Sequence, residues 1–472
     1  MKKSTPTWLA QAQAAAEAEA LKTTCAVCLP DEAEGISRRQ ILASGVSLTA
    51  YLSVAKLLAA ATPARGADTA SYPPKRKLVW INMSGGWDIL EVTDPKPASA
   101  SKLNILYDYG QSHAVAGATD GSRLGRWLPN LAAVGSDLLV IRGIAMGTTS
   151  HPAGSAYMDK GVLSNTGMVN SASIPAIIAS ESQATIPIVQ LAGGSDPQTD
   201  RGILKPVSVV RAQNLELYRS MYPVDDAAIT RRMAILDFLK NSVAKSQAEV
   251  GTNSRLSDLS ASEAKLRVQF AGNVGAKMAL TDADKAAFTA NAPKGMSSDS
   301  QNAVALALKL INNDLVTCVN LGFGGFDTHQ SQNTRLEPIL TSVDFLLSQL
   351  VAGLKAAGQL DRTLIILYSD FGRTPVVNGS SGRDHWPVGG AIVMGGGIAG
   401  GRTVGATSDD TLAAAELIDP TSGLRTSDSA VGVQINPTHI GGLALALTLG
   451  STYAAYRPYL PALAALTRLK GS

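Results

Sequence analysis

A chain of 472 residues that is 45% hydrophobic and 17% charged has the composition of a globular protein, with ample apolar material for a sizeable core. Its net charge of +3 is small, its basic residues are scattered and its aromatic content is 5%, which together argue against a nucleic-acid partner. Three cysteines, at 25, 28 and 318, exclude a disulfide framework as the source of stability.

The chain opens with a long leader. Residues 1–36 are rich in Ala and Glu and contain Cys25-x-x-Cys28, a lone pair that lacks the other two ligands of a zinc site. Ser37-Arg38-Arg39-Gln40-Ile41-Leu42 then introduces a modestly apolar stretch, Ile41–Ala61, followed by the small-residue exit Ala64-Arg65-Gly66-Ala67-Asp68. A basic pair, an apolar stretch and a small-residue exit, in that order, read as a signal peptide. Paired arginines ahead of a Gly/Ser/Ala-softened stretch resemble the twin-arginine type. Lys56 interrupts the stretch, so no stable membrane anchor is expected. The expected division is therefore a leader, 1–67, and a mature domain, 68–472. That domain retains only Cys318, a small core residue within Leu315–Leu321. The expected partner in export is the twin-arginine machinery, and the expected destination is periplasmic or secreted.

Beyond the leader, short and nearly continuous apolar runs predict buried strands at Lys77–Met83, Asp137–Gly143, Ile186–Ala192, Leu315–Phe323, Thr363–Ser369 and Ala391–Met394. Continuous rather than alternating hydrophobicity suits parallel strands covered on both faces. Helical patterns lie between them: Ala227–Val250 and Ala261–Val274 are long and charged, and Asn302–Asn312 and Leu336–Ala357 are amphipathic and lead into strands. Strand alternating with helix predicts an α/β fold, an open, mostly parallel sheet with helices on both faces. The region from about 205 to 300, with charged helices and few strand signals, reads as a helical insertion. Gly-rich loops are expected at 322–325, 395–401 and 441–442.

Ligands of an open α/β sheet sit outside the carboxyl ends of its strands. Ser84-Gly85-Gly86-Trp87-Asp88 follows the first run, and Met146-Gly147-Thr148-Thr149-Ser150-His151 the second. Gly324-Gly325-Phe326-Asp327-Thr328-His329 and Asp370-Phe371-Gly372-Arg373 follow later ones, with Gly382-Arg383-Asp384-His385 shortly beyond. Three of the five histidines (His151, His329, His385) and four aspartates (Asp88, Asp327, Asp370, Asp384) thus collect at strand ends. Singly, such an Asp is as readily a helix cap and such a His a surface residue; the clustering is what points to chemistry. Mixed carboxylate and imidazole donors suit Zn, Mn or Fe, with Mg or Ca at an oxygen-richer position. Two such ions could clamp both oxygens of an in-line displacement.

The motifs Gly85-Gly86-Trp87-Asp88, Ser150-His151 with Ala156-Tyr157-Met158, Phe326-Asp327-Thr328-His329, Ser369-Asp370-Phe371-Gly372-Arg373-Thr374-Pro375 and Gly382-Arg383-Asp384-His385, in this order, resemble the DUF1501 family of twin-arginine-exported proteins. That family is similar to a divergent branch of the alkaline phosphatase and sulfatase superfamily. The resemblance implies an alkaline-phosphatase-like sheet with a two-metal site and hydrolysis of small anionic phosphate or sulfate esters. It implies that Asp88 and Asp370 hold one metal and Asp327, His329 and His385 the other. It also implies a nucleophile among Thr148, Thr149 and Ser150, with Arg373 steadying the ester oxygens. Two departures stand out. Phe371 replaces the usual His after Asp370, a nitrogen that His151 is placed to restore, and no Cys-x-Pro-x-Arg-like sulfatase motif is present. The alternative expectation is a non-catalytic binding or assembly protein of the envelope on the same fold.

Overall fold

The computed structural model describes residues 76–97 and 109–471, apart from 165–168, 170, 196–208, 221, 223–224, 252–253, 411 and 457–458. The described residues lie in one compact unit, Ala59–Ser472. The expectations for the leader, its arginine pair and Cys25-x-x-Cys28 fall outside the described residues.

Strand β1 (Lys77–Met83) leads into a one-turn helix α1 (Ile89–Val92), and a two-residue hairpin, β2 (His113–Ala114) and β3 (Arg123–Leu124), precedes α2 (Pro129–Ala132). Strand β4 (Leu138–Ala145), helices α3 (His151–Lys160) and α4 (Ile174–Ser180), and strands β5 (Ile186–Gln190) and β6 (Val209–Arg211) follow. Helices then run in succession: α5 (Ala212–Ser220), α6 (Asp226–Val250), α7 (Ser254–Ala271), α8 (Val274–Met278), α9 (Asp282–Thr289) and α10 (Ser298–Asn312). Strand β7 (Val316–Phe323), helix α11 (Gln332–Ala356) and strand β8 (Thr363–Tyr368) lead to the ladder of β9 (Gly372–Arg373) and β10 (His385–Trp386). The chain ends through β11 (Val388–Gly395), β12 (Arg402–Val404), the pair β13 (Leu417–Ile418) and β14 (Val433–Gln434), and helices α12 (Pro437–Leu449) and α13 (Ala464–Thr467).

The main sheet has eight strands in the order β12-β4-β11-β8-β1-β7-β5-β6. Every pairing in it is parallel except those of β11, which runs antiparallel to both β4 and β8. Alternate residues of each strand face opposite layers. Leu78 and Trp80 of β1 join one core with Ile174 and Ile178 of α4 and Ile440 and Leu443 of α12, whereas Val79 and Ile81 are equally buried outside that cluster. This is why the strands read as nearly unbroken apolar runs: each buried aliphatic side chain of β1 is worth roughly 1.5–3 kcal/mol when removed from water, whichever face it serves. Helix α11 is long and apolar enough to cross a membrane. Here it is a core helix, burying Leu336, Leu340, Val343, Leu347, Leu350 and Leu354.

Three readings need correction. The run at 391–394 extends to Val388–Gly395 and is antiparallel, because burial on both faces dictates continuous hydrophobicity without dictating direction. Gly441 and Gly442 lie inside α12 rather than in a loop; a Cβ on Gly442 would come within 2.3 Å of the Pro461 carbonyl oxygen, so the residue serves a close chain crossing. The sequence reading also passed over β6 and β12, three-residue strands at the two edges of the sheet, too short to show a pattern.

Candidate metal centre

The loops after β1, β4, β7 and β8, together with the segment entering antiparallel β11, share one rim of the sheet, where the carboxyl ends of the parallel strands lie. Gly85 draws two of them together: with φ +118 it adopts a backbone closed to most side chains, and a Cβ there would lie 2.6 Å from the Asp327 amide nitrogen. The β9–β10 ladder sets His385 opposite Arg373. Helix α3 delivers His151 at its first position, and Gly154 lets that helix approach the Asp370 carbonyl, to within 2.0 Å of where a Cβ would sit.

These loops gather four side chains on one point. Asp327 Oδ1 lies 3.0 Å from His329 Nε2, 3.2 Å from His385 Nε2 and 3.8 Å from His151 Nε2. His329 Nε2 and His385 Nε2 are 3.0 Å apart. Donor atoms of His151, Asp327 and His385 all fall within 4.8 Å of one another. Each imidazole is held from behind through Nδ1: His329 by the Asp384 carboxylate at 2.7 Å, His385 by the Thr149 carbonyl oxygen at 2.8 Å, and His151 by Asp370 Oδ2. A carbonyl or an ionised carboxylate can only accept, so Nδ1 carries a proton in each ring, and in the neutral imidazole Nε2 presents a lone pair. Ring nitrogens some 3 Å apart, facing a carboxylate oxygen, repel unless a proton on Nε2 or a bound cation lies among them. Ligands about 2.0–2.1 Å from a tetrahedral zinc would be roughly 3.4 Å from one another, and the three imidazole nitrogens lie 3.0–3.8 Å from Asp327 Oδ1. Carboxylate and carbonyl partners on the rear nitrogens are the usual supports of metal-ligating histidines. The donor set therefore fits a divalent transition metal. Asp327 and His329 are 49% and 45% exposed, so the cluster opens to solvent.

The electrostatics agree with an inward-facing anion. Burial works upward on the Asp327 carboxyl, but its hydrogen bonds from Arg373 and His385 and the nearby charges outweigh it and hold the group at about 2. The His151 imidazole is raised, first by its hydrogen bond to Asp370, against the effect of burial. Asp384 is lowered, chiefly by its hydrogen bond from His329. Phe371 is buried against both His151 and His385, with ring centroids 4.6 Å apart in each case, and forms an apolar wall to the cluster.

Other expected site residues are placed differently. Asp88 is fully buried as the cap of α1: its carboxylate accepts from Leu90 N at 2.8 Å and Gln332 Nε2 at 2.6 Å, and pairs with Arg383 Nε at 2.9 Å. In this structure it ties the start of α1 to Gln332 and Arg383. Asp370 and Asp384 stand behind histidines. Arg373 is fully buried, and donates to Gly86 O at 2.7 Å, Arg383 O at 3.1 Å, Gly85 O and Asp327 Oδ1, rather than facing an open site. The three hydroxyl residues lie beside the cluster. Thr149 and Ser150 are exposed, Ser150 is the N-cap of α3 without a side-chain cap bond, and Thr148 Oγ1 accepts from Ser150 N at 3.2 Å. Sequence reasoning quoted Arg383 within a motif without giving it a role, and missed Gln332 and Glu91, the other buried residues around Asp88. It also missed Asp159, in the last turn of α3, which accepts from Trp80 Nε1 at 2.8 Å and Tyr368 OH at 2.5 Å. None carries a local signal.

Fold and site together define an α/β protein with a histidine-rich cluster on the carboxyl rim of a mostly parallel sheet. The chain belongs to the DUF1501 family, described as a protein of unknown function, whose model matches residues 75–423. No curated protein matches it. Among solved structures it is similar to a sulfatase from Pseudoalteromonas sp., at 15% identity and TM-score 0.34 over 79% of this chain and 67% of that one. It is similar also to a protein in the alkaline phosphatase superfamily from Vibrio parahaemolyticus, at 11% identity and TM-score 0.32 over 76% and 72%. A third is the alkaline phosphatase from the Antarctic bacterium TAB5, at 12% identity and TM-score 0.30 over 68% and 91%. Likenesses of this depth say nothing of substrate or reaction.

Proposed function

We propose that this protein is an exported, metal-dependent hydrolase of phosphate or sulfate esters, with its metal held by His151, Asp327, His329 and His385. The observation that carries the reading is the convergence of three imidazoles, each anchored through Nδ1, on one carboxylate oxygen at a solvent-open rim. A divalent ion bound there supplies Lewis acidity and lowers the pKa of a hydroxyl or water. The chain supplies the rest. The exposed hydroxyls of Thr149 and Ser150 stand at the start of ten-residue α3, whose N-terminal N–H groups favour an anion. One of these hydroxyls is the nucleophile, and the ester's anionic oxygens rest on the helix N-terminus. Arg373, buried and committed to protein acceptors, acts on Asp327 rather than on the ester.

Elemental analysis of the purified mature protein, with assays on aryl phosphate and aryl sulfate esters, tests the reading. Replacing Asp327 and His329 with Ala is expected to abolish both bound metal and turnover; full activity with metal retained would refute these roles. The withdrawal of Arg373 from solvent favours a second reading, a non-catalytic binding or assembly protein of the cell envelope. Metal-free, inactive protein would support that second reading. Export through the twin-arginine pathway rests on Arg38-Arg39; changing both to Lys should strand the protein in the cytoplasm on fractionation, and mass spectrometry should find the mature N-terminus near residue 68.

A further inference from the structure

We infer that the site takes one divalent cation per chain and that the Arg373 guanidinium stands in for a second. The inference rests on the reading of the cluster as a metal centre and concerns how many ions it holds. A second ion next to the first would need oxygen ligands beyond Asp327, and the neighbouring aspartates among the described residues are bonded to other groups or stand behind an imidazole. Asp370 Oδ1 accepts from Gly85 N at 3.1 Å, Gly86 N at 2.6 Å and Ser369 Oγ at 2.9 Å, and its Oδ2 holds His151. A carboxylate offers about four acceptor positions, two on each oxygen, so Oδ1 is saturated and Oδ2 is already spent in part on His151. Asp88 is used up by Leu90 N, Gln332 and Arg383 and has no exposed surface. Asp384 spends Oδ1 on His329 and Asn378, and it stands at the Nδ1 end of the His329 ring while Asp327 faces the Nε2 end.

Where those carboxylates leave space, the protein already has a positive charge. Arg373 Nη2 lies 2.5 Å from Asp327 Oδ1, the same oxygen that the histidines surround. The Gly85 and Gly86 carbonyls, oxygens that would suit a hard cation, are turned on its guanidinium instead. Arginine stays charged at any working pH, so a second dication beside it would meet direct repulsion. Phe371 and Arg373 also pack closely on Gly86, where a Cβ would fall 2.5 Å from the Phe371 ring and 3.4 Å from Arg373 Nε. The resulting centre is mononuclear, rich in imidazole, and balanced by an internal cation that cannot dissociate or be chelated away.

The test uses the mature chain, stripped of metal and then titrated with Zn(II) and separately with Mn(II). Calorimetric stoichiometry and elemental analysis should both give one ion per chain. The Mn(II) form should show the electron paramagnetic resonance signal of an isolated ion. Two ions per chain, or the exchange-coupled spectrum of ions a few ångströms apart, would overturn the inference while leaving the metal centre standing. No bound ion would overturn the metal centre and this inference with it. His385→Ala should reduce the count from one to none; an ion retained at full occupancy in that variant would place it elsewhere and refute the assignment.

Discussion

At the scale of single residues, the aspartates of the rim fall into two kinds. Asp384 touches His329 from solvent, with 54% of its side chain exposed. Asp384→Asn should leave the fold unchanged and weaken metal binding by about 10–100-fold, the usual cost of losing a partner behind a ligating imidazole; competition with a chelator measures it. Asp159, in the last turn of α3, is the opposite case, buried against the sheet with Trp80 and Tyr368 donating to it. Burial pushes its carboxyl upward, against those hydrogen bonds. Asp159→Ala would leave two buried donors unsatisfied, at about 1–3 kcal/mol each, and denaturant titration should show a loss of that order. The sequence could not sort these residues. An Asp after a strand reads the same whether it faces an ion, an imidazole or a buried arginine, because the deciding partner is remote: Asp88 meets Gln332, 244 positions away. The histidines were legible because they are few and each follows a strand.

At the scale of elements, helix α3 is the part on which the cluster depends most. Its first residue supplies an imidazole, its N-terminus faces the rim, and Gly154 seats it on the Asp370 carbonyl. Gly154→Ala cannot be accommodated without moving the helix or the Asp370 loop, so stability should fall by about 1–3 kcal/mol. Metal affinity should fall with it, since His151 and its Asp370 support move apart; thermal unfolding with and without added Zn(II) separates the two effects. Most strands were readable from their apolar runs, as were α6, α10 and α11 from their periodicity. What stayed hidden was geometric. The direction of β11 is set by the return of the chain through the β9–β10 ladder, and the role of Gly442 by the passage of Pro461.

At the scale of the whole molecule, buried charge next to the sheet makes stability depend on pH. Burial, and then the neighbouring Asp88 charge, push the Glu91 carboxyl from its ordinary 4.5 up to about 8, against the pull of Arg126 and Arg383. Below 4.5 folded and unfolded chains both hold this proton; between there and about 8 only the folded chain does. Stability contributed by the protonated group is therefore complete below the ordinary value and fades as pH rises through about 8. Denaturation curves from about pH 5 to pH 9 should show this decline, and Glu91→Gln should flatten it; an unchanged slope in the variant would assign the decline to other groups. The wide scatter of the four donors along the chain, at positions 151, 327, 329 and 385, has a consequence of its own. On the proposed reading, no fragment ending before residue 385 of 472 owns all four ligands, so capture of an ion would wait until most of the polypeptide has been synthesised and folded. Occupancy then acts as a certificate of finished folding, and by mass action it reinforces only the native form.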